Sequence, residues 1–337
     1  MDFKRITLIA LKEVQDHITS LRFICLLFLM MTICAIFLLK ETGIYLQEIG
    51  KYSSGDYYYP LDYLPYTLNI FGGIRTAIGG SSIFGSIIAI ALGFDLITKE
   101  RESGSLKAIL SVPVFRDELI NGKALAGIIV ISIAATVVFI LAFGILLINS
   151  IVPEISELSY LFMFWLFTIL FLSGIFIMSM MISTFAKTSG MSLIASFLAL
   201  LLLTSVISTV GNIAPDFILG QNPSVEYQNL ENYDPDVFYE LSSQYSASKD
   251  MILDISRCAS LNSNYFRLSR VLTRPQDFRD ESSHYLYSSS DKQGDDRTLP
   301  PVFEVLAPMW SYILFLIAYP VVFFGIAYIR FMRMDLR

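Results

Sequence analysis

Six apolar runs dominate what this chain can become: Phe23–Leu39, Ser82–Ile97, Ala124–Asn149, Leu158–Ile182, Met191–Val210 and Val305–Ile329. Together they hold one charged side chain, Asp95, which lies near Lys99 at the rim of its run. A helix needs about 20 apolar residues to cross the hydrocarbon layer, and every backbone polar group inside it must be paired internally. The runs therefore predict six transmembrane helices. Composition agrees: charged residues make up 16% of the chain, against roughly 25% in soluble domains.

The net charge of −6 is unevenly spread. Between Gly211 and Leu306, 15 acids face 8 Lys and Arg, a balance of −7 that leaves the rest near +1. The acidity belongs to one polar segment and gives no indication of a nucleic-acid partner. In the short connections the basic residues cluster on one side. Lys4, Arg5, Lys12, Arg22, Lys99, Arg101, Lys107, Arg116, Lys123, Lys187, Arg330, Arg333 and Arg337 all fall there when both termini are cytosolic. Excess Lys and Arg in short loops marks the cytoplasmic face, so both termini are expected in the cytosol.

Residues 2–20 space Phe3, Ile6, Ile9, Ala10 and Val14 among charged residues at helical intervals. This predicts a helix lying in the cytosolic interface. No cleavage site follows the first run, which reads as a retained helix. Residues 41–80 read as an outer loop, with Tyr57–Tyr59 as an interfacial aromatic belt. The 211–306 segment is too long for a plain connection. Asp234-Pro235 is a helix start, and Leu241, Tyr245, Ser248, Ile252, Ile255 and Ala259 continue it, whereas Ser282–Arg297 is expected to be mobile. The expected organisation is residues 1–210 with five spans, an extracytoplasmic segment over 211–304, and 305–337 with the last span and a cytosolic tail.

Chemistry-bearing motifs are sparse. The phosphate-binding pattern G-x-x-x-x-G-K-[ST] is missing, since Gly122-Lys123 lacks both the upstream glycine and the hydroxyl residue. Neither His17 nor His284 is placed to serve a serine within the bilayer, and Cys25, Cys34 and Cys258 form no framework. Uncharged spans argue against an ion-coupled relay. Met178, Met180 and Met181 read as packing residues, and Gly174 with Ser173, Ser179 and Ser183 as small residues for close helix contact. The chain is expected to have no catalytic, cofactor or metal site.

The informative stretch runs from Phe94 to Arg116. A charged helix end, Lys99-Glu100-Arg101-Glu102, breaks at Ser103-Gly104; Leu106, Ile109 and Leu110 then share one face before Pro113 stops the helix. A short helix with an apolar face between charged breakers suits docking in a partner's groove. This stretch resembles the coupling region of ABC-2 type permeases through Glu100, Arg101, Glu102, Gly104, Ser105, Leu106, Ile109, Leu110, Ser111, Pro113 and Arg116 in order. Gly122-Lys123 at the third span is similar too. The nearest branch resembles permeases grouped with multicopper-enzyme maturation and nitrous-oxide reductase assembly, although no Cys or His cluster accompanies it.

The resemblance implies a fold and a function. The fold is an all-α integral membrane protein: six transmembrane helices, an N-terminal interfacial helix and a mostly helical extracytoplasmic insertion before the last helix. The function is the membrane subunit of an exporter, paired with a second permease copy or paralogue and driven by a separate cytosolic ATPase that carries the ATP. It further implies that the coupling helix at about 99–115, with Glu100, Arg101, Glu102, Gly104, Leu106, Ile109, Leu110, Pro113 and Arg116, meets that ATPase. The other reading is a membrane scaffold that displays the 211–304 segment without transport.

Overall fold

The computed structural model describes residues 3–53, 65–79, 84–105, 115–220, 222, 235–275 and 299–334. The Tyr57–Tyr59 belt, the Leu106–Pro113 helix and the 282–297 stretch lie outside them. Every described element is a helix or helical turn. In order they are α1 (Phe3–Ile18), α2 (Leu21–Ser53), α3 (Gly72–Ile78), α4 (Phe84–Gly93), α5 (Thr98–Glu102), α6 (Arg116–Ile148) and α7 (Ile155–Phe185). There follow α8 (Ser189–Leu219), α9 (Pro235–Cys258), α10 (Leu261–Thr273) and α11 (Val302–Met332).

Five helices among the described residues are long and apolar enough to cross a membrane: α2, α6, α7, α8 and α11. Their outward faces are apolar, with Phe28 and Ile36 on α2, Ile194 and Leu198 on α8, and Val321 and Ile329 on α11 all exposed. A water-facing surface would carry charge there. α7 is the central helix: 67% of its most apolar stretch is buried, against 17–44% in the other four. Close helix approach depends on glycine. A Cβ on Gly127 of α6 would stand 1.9 Å from Phe176 Cζ of α7, so only hydrogen fits there.

The expected second span differs from a single continuous helix. α4 has 10 residues, about 15 Å of rise, half the hydrocarbon thickness. It is preceded by α3, which lies within the stretch expected as an outer loop. That stretch is largely structure: α2 continues to Ser53, and Leu68, Ile70, Phe71 and Ile74 are fully buried. Gly73 makes this possible. Its Cβ position lies 2.8 Å from the Leu38 backbone nitrogen, so α3 presses directly on α2. The glycine pair and Arg75 disguise an apolar run that is buried.

The N-terminal helix forms as expected, but its apolar face is occupied. Ile6 and Ala10 are buried, and Ile9 packs over Gly122 of α6. Phe3, Leu8 and Leu11 remain exposed.

The segment expected as a separate extracytoplasmic unit also behaves differently in its described part. α9 and α10 form a hairpin whose tip, Cys258–Leu261, is buried among the spans. Tyr265 of α10 is fully buried, stacks on Phe171 of α7 at 4.3 Å and hydrogen-bonds Thr168 Oγ1 at 3.1 Å. Phe171 is 16 residues into α7, so the hairpin enters at mid-span depth. A backbone turn at that depth needs every polar group satisfied. Ser260 Oγ caps α10 by accepting from Ser263 N at 3.3 Å. Asn264 Nδ2 donates to Cys258 O at 2.7 Å, and Tyr319 Oη donates to Ala259 O. The tip is closed by side chains from its own turn and from α11.

Candidate functional site: the charged junction at one end of the bundle

α5 is a five-residue helix following a turn at Phe94–Ile97. It is fixed from below by hydroxyls: Ser183 Oγ of α7 accepts from the amides of Ile97 and Thr98, both at 3.1 Å. Gly104 then adopts φ +71° with nothing near its Cβ position. That left-handed conformation favours glycine, and it ends α5 where the sequence predicts a break.

Three of the four charged residues of α5 grip three separate parts of the bundle. Glu100 Oε1 accepts from Lys123 Nζ of α6 at 2.7 Å, and Lys123 also reaches Glu13 Oε1 of α1 at 2.9 Å. The Lys123 side chain is 2% exposed, so its charge is stable there only because two carboxylates accompany it. Arg101 Nη2 donates to Ala186 O just past the end of α7. A guanidinium there complements the negative end of the helix dipole. Glu102 accepts from Ser189 N at 3.1 Å and from Ser189 Oγ at 2.6 Å, at the first residue of α8. These bonds hold the Glu102 carboxyl below its usual range, as expected for an acceptor whose charged form is favoured.

Neighbouring contacts complete the junction. Arg116, opening α6, donates to Met332 O at 3.3 Å and Met334 O at 2.8 Å, closing the end of α11. Arg22 of α2 pairs with Asp95 at 2.6 Å and lies over Phe94. A cavity of about 460 Å³ opens between α1, α2, α4, α5 and α6, lined by Lys12, Asp16, His17, Arg22, Lys99 and Glu100 among others. Burial lowers the pKa of His17 beside it.

Of the residues singled out in the sequence, Glu100, Arg101, Glu102 and Arg116 each bond a different element of the bundle and Gly104 ends α5; Leu106, Ile109, Leu110 and Pro113 lie outside the described residues. Sequence reasoning did not find Glu13, Ser183 or Ser189 as partners. Their separations of 110, 85 and 87 positions from the residues they meet leave no local signal. Lys123, a cation with Ala124 and further apolar residues beyond it, was the clue that acids must reach it.

A multi-pass helical bundle with apolar outer faces and a charged junction at one end is a membrane-embedded protein. The chain belongs to the ABC-2 family of transporter proteins, whose family model, described as ABC-2 family transporter protein, matches residues 7–336. No curated protein matches the chain. Members of this family are membrane transport subunits that generally work with an ABC ATPase partner.

Proposed function

We propose that the chain is the permease subunit of an ABC exporter in the plasma membrane, with both termini cytosolic. A separate cytosolic ATPase docks on residues 99–116, and a second permease copy or paralogue completes the pathway. The observation that carries this reading is the three-way grip of α5. Glu100 is tied to α1 and α6, Arg101 to the end of α7, and Glu102 to the start of α8. A push on the 103–114 segment would reach four helices at once.

Six crossings follow if α3 and α4 make one broken span. Gly73 abuts α2 at Leu38 and Asp95 pairs with Arg22. The 16 residues between Leu38 and Arg22 correspond to about 24 Å along α2, nearly the hydrocarbon thickness. The exposed Phe3, Leu8 and Leu11 of α1 suit contact with the interface. Apolar runs whose one charged residue, Asp95, sits at the rim suit a hydrophobic or amphipathic cargo. The likeness to copper-enzyme maturation permeases assigns no residue in this chain.

In this account Glu100, Arg101 and Glu102 position the coupling segment, and the apolar triad Leu106, Ile109 and Leu110 makes the docking contact. The test is ATP hydrolysis by the reconstituted complex. Glu102→Lys should leave the ATPase bound while cargo no longer stimulates hydrolysis; stimulation equal to wild type would refute the coupling role. The scaffold alternative is disfavoured by the insertion of α10 among the spans, which leaves less of 211–304 to display.

A further inference from the structure

At the end of the bundle opposite the junction, two guanidinium groups lie together with few partners. Arg75 of α3 is 8% exposed. It donates to Thr273 Oγ1 of α10 at 3.3 Å and lies over the Phe266 ring at 5.0 Å. Its buried Nε has no hydrogen-bond partner. Arg274, next to Thr273, faces Glu41 of α2 at 3.6 Å, and its buried Nε is also without one. Each guanidinium carries five N–H donors in a fixed fork, so most of their capacity is unspent. Arg270 lies four residues before Arg274 and four after Phe266, on the same helix face. Arg75 and Arg274 against Glu41 leave a balance of +1 at the two forks.

Depth identifies the kind of anion. Glu41 is 19 residues beyond Arg22 on α2, which is about 28 Å of helix rise. Arg22 is held at the junction by Asp95. The Arg274–Glu41 end of the cluster therefore lies about one hydrocarbon thickness away, where the headgroups of the opposite leaflet lie, and Arg75 reaches up to it from the level of Phe266 by way of Thr273. Guanidinium forks match phosphate oxygens in bidentate geometry.

We propose that Arg75 and Arg274 form a binding site for the phosphate of an anionic phospholipid in the leaflet opposite the junction. The leaflet assignment rests on the crossing scheme proposed above, whereas the binding chemistry does not. The phosphate seats between the two forks, and the lipid ties α3 and α10 to α2 at the mouth of the bundle.

The test uses the full chain in detergent, so its result is independent of orientation and of any ATPase. Phosphatidylglycerol, phosphatidylcholine and inorganic phosphate are titrated, with thermal unfolding and native mass spectrometry as readouts. The wild type should retain and be stabilised by phosphatidylglycerol but not by the other two. Arg274→Gln, at a side chain 38% exposed, should weaken that binding on the order of tenfold, the loss expected for a charge-assisted hydrogen bond. Arg75→Lys, which keeps the charge and loses the fork, should weaken it as well, whereas Arg330→Gln at the other end should not. Phosphatidylglycerol binding by Arg274→Gln equal to wild type, with the lipid-free melting point unchanged, would overturn the proposal. Equal stabilisation by inorganic phosphate would overturn the lipid as its source.

Discussion

Replacing Lys123 by methionine tests the junction most severely. The ammonium is 2% exposed and holds Glu13 and Glu100, whose side chains are 16% and 18% exposed. Methionine keeps the length and removes the charge, leaving two mostly buried carboxylates facing each other. Breaking a buried pair by deleting one partner costs about 3–5 kcal/mol. Both acids retain some water here, so about 3 kcal/mol is the appropriate end. The comparison is Arg257→Gln, which breaks a pair 41% and 51% exposed and should cost at most about 1 kcal/mol. Thermal unfolding in detergent, followed by intrinsic fluorescence, measures both. Lys123→Met combined with Glu13→Gln and Glu100→Gln should recover most of the loss, because no uncompensated charge remains. Equal melting points for Lys123→Met and Arg257→Gln would refute the reasoning.

Three further outcomes follow from the packing and titration of the junction. Gly127→Ala forces a methyl group into the Phe176 ring and should destabilise by about 1–3 kcal/mol, read as a lowered unfolding temperature, while Gly144→Ala, with open space around it, should not. His17 is neutral by preference in the folded chain because burial lowers its pKa from 6.5. The unfolded chain therefore takes up a proton first, and stability should fall as pH drops below about 6.5; melting curves between about pH 7.5 and 5.5 should lose that dependence in His17→Gln. Glu102 has the opposite sense: its lowered pKa adds stability above its unfolded value of 4.5, lost as pH falls through the folded one. In Glu102→Gln the acid limb of the melting profile should flatten.

The spans were legible because lipid demands long uncharged runs, and α6, α7 and α11 follow those runs closely. The region 65–79 was not. Its burial depends on Gly73 meeting the α2 backbone, a tertiary fact with no periodic signature. The α9–α10 hairpin was half legible. Pro235 starts α9 as expected, but polar residues such as Ser260 and Asn264 read as external, whereas they close a buried turn. Their short side chains serve backbone groups rather than water. At the junction, the break at Gly104 could be read directly, since few residues other than glycine tolerate φ +71°. The charges around it suggested an outward-facing surface. The structure turns Glu100 and Arg101 inward onto Lys123 and Ala186 and ties the exposed Glu102 across the surface to Ser189, partners that only the fold supplies.

The central claim is that this chain is driven by a separate ATPase through residues 99–116. Affinity purification of the tagged chain from native membranes, with mass spectrometry of what copurifies, tests it most directly. The account predicts an ATPase bearing a phosphate-binding loop in stoichiometric amount, lost when Leu106, Ile109 and Leu110 are changed to Asp while the permease stays folded. Recovery of the chain without an ATPase, or an ATPase retained by that triple variant, would contradict it.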